Sequence, residues 1–241
     1  MQQLANPPAS PGRSALALLL LVPAPTIAVL SAMFLFPDTW YGQTIYYFLK
    51  AWLLTLPLLW VLFVERGRLR MPKLQWHGMT TGLVSGLAIL GVIIGAWELF
   101  AHNMVDVSMF KEKMTEIGLS SPARYLAFAA TLTFINALLE EYVWRWFVYS
   151  KWFELFGGTA RKIAVPGAIF LAGLCFMLHH TVAMSLYFDW KVNAMASLGV
   201  FAGGVIWSII YLKTKNLYAA YVSHIFADIA LFYVGYRVAF G

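Results

Sequence analysis

The sequence predicts an all-α protein, a polytopic membrane bundle of about seven transmembrane helices. Hydrophobic residues make up 61% of the 241-residue chain, and charged residues only 12%, against about 25% in typical soluble domains. The mean hydropathy is +0.72. Several separate apolar stretches also reach the roughly 20 residues that a helix needs to cross a bilayer core of about 30 Å.

The apolar stretches define the predicted spans in chain order: 14–36, 44–64, 78–101, 124–150, 164–186, 192–212 and 217–237. The first resembles a signal peptide, because Arg13 precedes an apolar run. That run continues past Pro23 and Pro25 to Phe36, so we interpret it as an uncleaved helix kinked at the prolines. Between the third and fourth spans, the stretch 102–123 is either an interfacial helix or a plain loop.

Small residues recur in the third and sixth spans. Four-residue spacing of glycines lets helix backbones approach closely, so we expect close packing there and assign no chemistry to Gly78, Gly82, Gly86, Gly91, Gly95, Gly199 and Gly203. No long linker or internal repeat divides the chain. We therefore expect a single domain over residues 1–241, with the functional core in about 124–237.

The basic residues predict the orientation of the chain. Most of the 17 lie at the ends of apolar runs, including a cluster of Arg66, Arg68, Arg70 and Lys73, while Lys50 and Arg145 lie inside spans. Their distribution favours a cytoplasmic N-terminus and an outer C-terminus in a plasma membrane, which we expect to be bacterial. It also explains the net charge of +6 without nucleic acid as a partner. The single Cys175 excludes an internal disulfide.

Ionisable residues inside the fourth span require an explanation, because each costs several kcal/mol in a bilayer core. Glu141 and Arg145 are four residues apart, so they share a helix face and can neutralise each other. Asn136 and Glu140 share a second face. Glu140 therefore needs a partner from another helix.

The fifth and seventh spans offer such partners. His179 and His180 lie in the fifth span, and His224 and Asp228 lie four residues apart in the seventh. One interpretation is that these groups are buried polar contacts that only hold helices together. We favour convergence of the three spans on one polar cavity, because intramembrane ionisable residues are usually functional. His179 points about 100° away from His180 on a helix, so a supporting role is expected for it.

With these residues, the sequence resembles the CAAX protease and bacteriocin-processing family of intramembrane proteases, also called the Abi family. The matching motifs, in family order, are Glu140-Glu141-x-x-x-Arg145, Phe176-x-x-x-His180 and His224-x-x-x-Asp228. Each motif is weak alone, but all three in order, each within a predicted span, form a specific pattern. The resemblance covers about residues 124–237, and the first three spans match only in hydropathy.

The resemblance implies that Glu140, His180, His224 and Asp228 are catalytic. Hydrolysis of an amide needs a base to activate water, stabilisation of the oxyanion and a proton for the leaving amine. Glu140 is the expected base and His180 the group that positions water. His224 and Asp228 would donate to the oxyanion or to Glu140.

The other motif residues are expected to support this site. Glu141 and Arg145 would hold the fourth span in register, with contact between Glu141 and substrate left open. Phe176 would pack against the wall of the site. One feature disagrees with convergence: counted from the predicted span boundaries, His180 lies roughly 10 Å nearer the outer side than Glu140 and His224.

A metal cofactor is an open alternative. Two histidines and two carboxylates are acceptable zinc ligands, and the resemblance implies that Glu140, His180, His224 and Asp228 could hold a divalent metal. The sequence lacks the usual HExxH zinc motif, so we favour slightly a glutamate mechanism without tightly bound metal.

The resemblance implies a membrane-anchored or lipid-modified protein as substrate, cut near one terminus. Relatives in eukaryotes remove the last three residues of prenylated proteins. Two other functions are considered. A non-catalytic binding or immunity protein would keep the fold and the motifs, whereas a proton-coupled carrier would show repeat symmetry or broken helices in matching halves, which the sequence does not show.

Overall fold

The computed structural model describes residues 10–68 and 74–241. Within those residues there is no strand, and seven helices are long and apolar enough to cross a membrane: Pro11–Leu35, Trp40–Val64, Met79–Leu99, Pro122–Leu155, Ala164–Met184, Trp190–Thr214 and Leu217–Phe240. These helices are called the first to seventh spans below. The chain is therefore an all-α polytopic bundle and an integral membrane protein, as predicted.

The span boundaries differ from the predicted ones by a few residues, most at the end of the fourth span, which continues to Leu155. Lys151, expected in a cytoplasmic loop, is therefore part of a helix and is buried. Arg70 and Lys73, counted among the cytoplasmic charges, lie outside the described residues.

The first span is broken at its prolines, as predicted. Val22 and Pro23 form a turn between the α-helical segments Pro11–Leu21 and Ala24–Leu30. Proline causes such a break because it has no N–H to donate and its ring crowds the preceding turn.

Lys151 lies in a polar network that connects the ends of the first, second and fourth spans, which are predicted to be cytoplasmic. Its ammonium forms ion pairs with Glu65 of the second span and, at 2.8 Å, with Glu154 of its own helix. The Ser14 hydroxyl of the first span donates to Glu154 over 2.7 Å. This network is largely buried, and the ion pairs offset part of the cost of removing its charges from water.

Four segments of the spans are π-helical: Ser31–Leu35, Trp60–Val64, Thr131–Asn136 and Tyr142–Val148. The last two lie in the fourth span, on either side of the short α-helical segment Ala137–Glu141. A π-helical turn holds about one residue more than an α-helical turn. The two glutamates therefore sit between two widened turns of one continuous helix.

The stretch between the third and fourth spans contains a helix, Val107–Glu116. The Asp106 side chain accepts a hydrogen bond from the Met109 amide, which caps the helix N-terminus. Phe110 and Met114 are buried in an apolar cluster with Trp97. Of the two predicted alternatives, the helix is therefore correct, and it packs on the ends of neighbouring spans.

The third and seventh spans pack closely at two of the predicted glycines. A Cβ atom on Gly82 would clash with the Ala219 carbonyl oxygen, and one on Gly86 would lie 2.7 Å from the Phe226 ring. The expectation of close packing is wrong for Gly91, Gly95 and Gly199, which have open space around them, because spacing does not show which helix face meets a neighbour.

Candidate active site

Glu140 lies between two histidines from other spans. Its Oε1 is 3.8 Å from Nε2 of His180, and its Oε2 is 3.7 Å from Nε2 of His224. The expected axial offset of roughly 10 Å between these residues is therefore not observed. The predicted boundaries of the fourth span made this offset too large. The span is longer at both ends than predicted, and Glu140 lies near its middle.

The backbone fixes the orientation of the His180 ring. Nδ1 lies 2.8 Å from the Phe176 carbonyl oxygen, one turn earlier in the fifth span. A carbonyl oxygen only accepts, so Nδ1 is the protonated nitrogen. In the neutral ring, Nε2 is then an acceptor that faces Glu140. The four-residue spacing of Phe176 and His180 thus sets the tautomer of the histidine.

Glu141 fixes the orientation of the His224 ring. Its Oε1 lies 2.9 Å from Nδ1 of His224, so Nδ1–H donates to this carboxylate. The other ring nitrogen, Nε2, faces Glu140 and lies 3.6 Å from Oδ1 of Asp228. The predicted shared face of His224 and Asp228 is confirmed.

The separations around Glu140 are too long for direct hydrogen bonds, which need about 2.7–3.2 Å. Polar groups at 3.6–3.8 Å suit a bridging molecule. Glu140 and Nε2 of His180 are both acceptors, so the bridge between them must donate. A water molecule can donate one hydrogen to each of them.

Arg145 is completely buried next to the site. Its Nε lies 3.3 Å from Oε2 of Glu141, which confirms the predicted pair. The guanidinium also lies over the rings of Phe176 and Trp207, at 4.8 and 5.4 Å. Cation–π contacts of this kind stabilise a desolvated charge by about 2 kcal/mol. Because Glu141 is also completely buried, a contact between Glu141 and substrate is not supported.

Phe176 lies at the centre of the site's aromatic wall. Its ring centroid is 4.4 Å from that of His180, 5.7 Å from Trp144 and 6.1 Å from His224. The predicted packing against the site is confirmed, and the same ring also contacts the Arg145 guanidinium.

His179 lies closer to the site than its helix position indicated. Its ring centroid is 4.0 Å from that of His180, and its ring stacks on Trp144 at 5.1 Å with an interplanar angle of 3°. The backbone directions of adjacent helical residues diverge by 100°, but the side chains rotate toward each other. The expectation that His179 points away is therefore wrong at the level of the ring.

Among the described residues, the side chains close enough to share a metal ion differ from the expected ligands. One ligand atom each from Glu140, His179 and His180 lies within 4.8 Å of the others. Two ligands of one zinc ion lie at most about 4.4 Å apart, given bonds of about 2.0–2.2 Å. Small side-chain rotations would therefore let this set hold zinc. His224 and Asp228, expected as ligands, are not in it.

Asn136 is the candidate residue for which the described residues show no hydrogen bond to the site. It is half-buried in the π-helical segment before Glu140. Among the hydrogen bonds of residues 10–68 and 74–241, none involves its side chain. Its expected supporting role thus has no contact to explain it.

Trp207 of the sixth span is a site residue that the sequence did not indicate. Its ring stacks on His224 with centroids 3.8 Å apart and an interplanar angle of 15°. Its Nε1–H donates to the Ser223 hydroxyl over 3.2 Å, and Ser85 of the third span donates to the same hydroxyl. Tryptophan is common in membrane helices, so this residue gave no signal.

Comparison with known proteins agrees with the geometry. A family model described as type II CAAX prenyl endopeptidase, Rce1-like, matches residues 122–230, the region that holds every candidate site residue. No curated protein and no solved structure matched the chain. The resemblance that the three motifs carry is confirmed: over residues 122–230, this chain matches the type II CAAX prenyl endopeptidases of the Rce1-like family.

Proposed function

We propose that this protein is an intramembrane endopeptidase in which Glu140 activates a water molecule. The observation that supports this most directly is the position of the Glu140 carboxylate, within 3.8 Å of Nε2 of two histidines from two other spans. Water that donates to Glu140 and to His180 would keep a lone pair free to attack a peptide carbonyl. Transfer of its proton to Glu140 would make it a hydroxide-like nucleophile.

The charges of the site indicate where the other protons lie. The site holds three carboxylates, Glu140, Glu141 and Asp228, and Arg145 pairs with Glu141, so an added proton would lower the cost of these charges in a low-dielectric environment. His224 is placed to carry one, because Glu141 accepts from its Nδ1 and Asp228 faces its Nε2. Nε2–H of His224 would then donate to the oxyanion of the tetrahedral intermediate.

Completion of the reaction needs a proton on the leaving nitrogen. Glu140, protonated by the attacking water, would return that proton to the amine as the C–N bond breaks. The products are then a new carboxyl group and a free amine, and the carboxylate of Glu140 is restored. Asp228 would hold the charged His224 in place during the attack.

Zinc remains the alternative to a metal-free mechanism. Glu140, His179 and His180 would hold it, and a bound zinc ion would lower the pKa of water and polarise a carbonyl. Measurement of zinc content before and after dialysis against a strong chelator, together with cleavage, decides between the two. Full activity without bound metal is the expected outcome.

The proposed substrates are membrane-anchored or lipid-modified proteins cut near one terminus. Side chains in the site are partly accessible, with 16% of Glu140 and 27% of His180 exposed, so a peptide can reach the Glu140–His180 side. The name of the matching family, CAAX prenyl endopeptidase, favours a prenylated chain. We also propose a bacterial plasma membrane with the N-terminus inside, from the distribution of basic residues.

Replacement of Glu140 tests the mechanism. Glu140→Gln keeps the shape and most hydrogen bonds but removes the base, so we expect cleavage of a prenylated peptide in proteoliposomes to fall by about 10²–10⁴-fold. Glu116→Gln, at an exposed position of the helix Val107–Glu116, should cleave normally. Undiminished cleavage by Glu140→Gln would exclude Glu140 as the base.

A further inference from the structure

Lys50 is an ionisable residue inside the second span that the proposed mechanism does not use. It lies ten residues after Trp40 in the helix Trp40–Val64, about 15 Å from the start of the span. Its side chain is half-buried. A lysine at such a depth is costly and marks a binding or transport pathway in most membrane proteins.

The ammonium of Lys50 has no anionic partner in the described part of the chain. It lies 5.6 Å from the centroid of the Tyr46 ring, and no carboxylate of residues 10–68 or 74–241 forms an ion pair with it. Every other cation in or next to the site is paired: Arg145 with Glu141, and Lys151 with Glu65 and Glu154. Lys50 is therefore available to an anion from outside.

The second span packs against the fourth span close to the site. Tyr142, two residues after Glu140, donates its hydroxyl to the Leu54 carbonyl oxygen over 3.0 Å. Leu54 lies one turn after Lys50 on the same helix, so this bond ties that face to the fourth span. Lys50 is within electrostatic range of both His179 and His180.

We propose that Lys50 binds the C-terminal carboxylate of the peptide substrate. This inference rests on the proposed function and adds the feature of the substrate that the site selects. Three extended residues span about 10 Å, so a chain end within a few residues of the scissile bond can reach a cation next to the histidines. The carboxylate would form the direct ion pair that Lys50 lacks among residues 10–68 and 74–241.

A lipid phosphate is the other anion within a membrane. Lys50 lies about 15 Å along its helix from Trp40, where the span begins, and a lysine side chain is shorter than half that distance. The depth therefore favours an anion that enters the bundle with the substrate over a headgroup that stays at the surface.

The test uses two prenylated peptides that differ only in a C-terminal carboxylate or carboxamide. We expect the wild-type protein in phosphatidylcholine proteoliposomes to cleave the acid with a kcat/KM about 10- to 100-fold above that of the amide, the range for a hydrogen bond to a charged group. Lys50→Met should reduce cleavage of the acid to the level of the amide and leave the amide unchanged. Lys50→Arg should keep the preference.

Lys191→Met is the matched control, because Lys191 also lies over a neighbouring aromatic ring, Trp190, but at the exposed start of the sixth span. It should keep the full preference for the acid. Equal cleavage of both peptides by the wild type, or equal loss on both peptides in Lys50→Met, would overturn the proposal. A Lys50→Met effect that follows anionic lipid content rather than the peptide end would assign Lys50 to lipid and also overturn it.

A binding measurement separates this inference from the proposed function. Glu140→Gln in nanodiscs should bind the fluorescent acid more tightly than the amide, and Glu140→Gln with Lys50→Met should bind both equally. If the wild type cleaves neither peptide, the proposed function fails, and the binding ratio still tests Lys50. If binding does not distinguish acid from amide, the Lys50 proposal fails whatever the activity.

Discussion

Glu141 uses its two oxygens for different partners. Oε1 accepts from Nδ1 of His224, and Oε2 faces Nε of Arg145 at 3.3 Å. Both Glu141 and Arg145 are completely buried. The second glutamate of the motif therefore orients a catalytic candidate on another span and pairs with Arg145 of its own span.

The stability of Glu141 and Arg145 can be measured as a pair. Arg145→Met should lower the free energy of unfolding by about 3–5 kcal/mol, because it leaves a buried carboxylate without a countercharge. Glu141→Gln with Arg145→Met removes both charges and should restore much of that loss. Unfolding in mixed micelles measures the cycle, and a double variant no more stable than Arg145→Met would show that the two groups are not coupled.

At this scale, the sequence predicted contacts within one helix better than contacts between helices. The pairs Glu141–Arg145 and His224–Asp228 follow from four-residue spacing, which puts two side chains on one face. The bond between His224 and Glu141 does not follow from spacing, because it depends on how two spans pack. The ring of His179 was misplaced for the same reason, since rotamers are set by neighbours such as Trp144.

Among the elements, the sixth span contributes to the site without carrying any motif residue. Trp207 stacks on His224 and donates to Ser223 of the seventh span. That hydroxyl also accepts from Ser85 of the third span. Trp207 therefore covers one face of the His224 ring and is itself held by hydrogen bonds that link the third, sixth and seventh spans, while Glu141 of the fourth span binds Nδ1 of the ring.

Trp207 is expected to act as a positioning residue. Trp207→Leu removes the stacking, which is worth about 0.5–1.5 kcal/mol, and should lower kcat up to about tenfold with little change in KM. Trp207→Phe keeps an aromatic face and should retain most of kcat. Steady-state cleavage of the prenylated peptide measures both, with Trp190→Leu, at an exposed position, as the control. A rise in KM with unchanged kcat would instead place Trp207 in substrate binding.

The elements themselves were largely predictable, because a bilayer requires about 20 apolar residues for each helix. All seven spans follow from this requirement. The π-helical segments beside Glu140 do not, because Thr131–Asn136 and Tyr142–Val148 are as apolar as α-helical spans, and their hydrogen bonding depends on tertiary packing.

For the molecule as a whole, the proposed orientation places the Lys151 network and the site at defined sides of the membrane. Lys151, Glu65 and Ser14 would lie at the cytoplasmic face, where they connect the first, second and fourth spans. Backbone polar groups must be satisfied within a membrane, and this allows only helices and closed barrels to cross. That constraint explains why the fold class could be predicted. It does not depend on which end of a helix faces the cytoplasm, so the orientation was inferred from the basic residues alone.

The orientation can be measured with single cysteines in a Cys175→Ala background. Arg13→Cys should react with a membrane-impermeant maleimide only in inverted vesicles, because the N-terminus is expected inside. Thr115→Cys, at an exposed position of the helix Val107–Glu116, should react only in right-side-out vesicles, because that helix is expected on the outer side. The reverse pattern would require the opposite topology, and labelling from both sides would indicate mixed insertion.

The widened turns of the fourth span predict where the chain can lose a residue. A turn with one surplus residue is what a single-codon insertion into an ordinary helix would leave behind, provided that the flanking faces stay in register. Thr131–Asn136 and Tyr142–Val148 each absorb such a surplus. Deletion of Phe134, whose side chain is 52% exposed, is therefore expected to convert the first widened turn to an ordinary one and to leave Glu140 oriented toward His180 and His224.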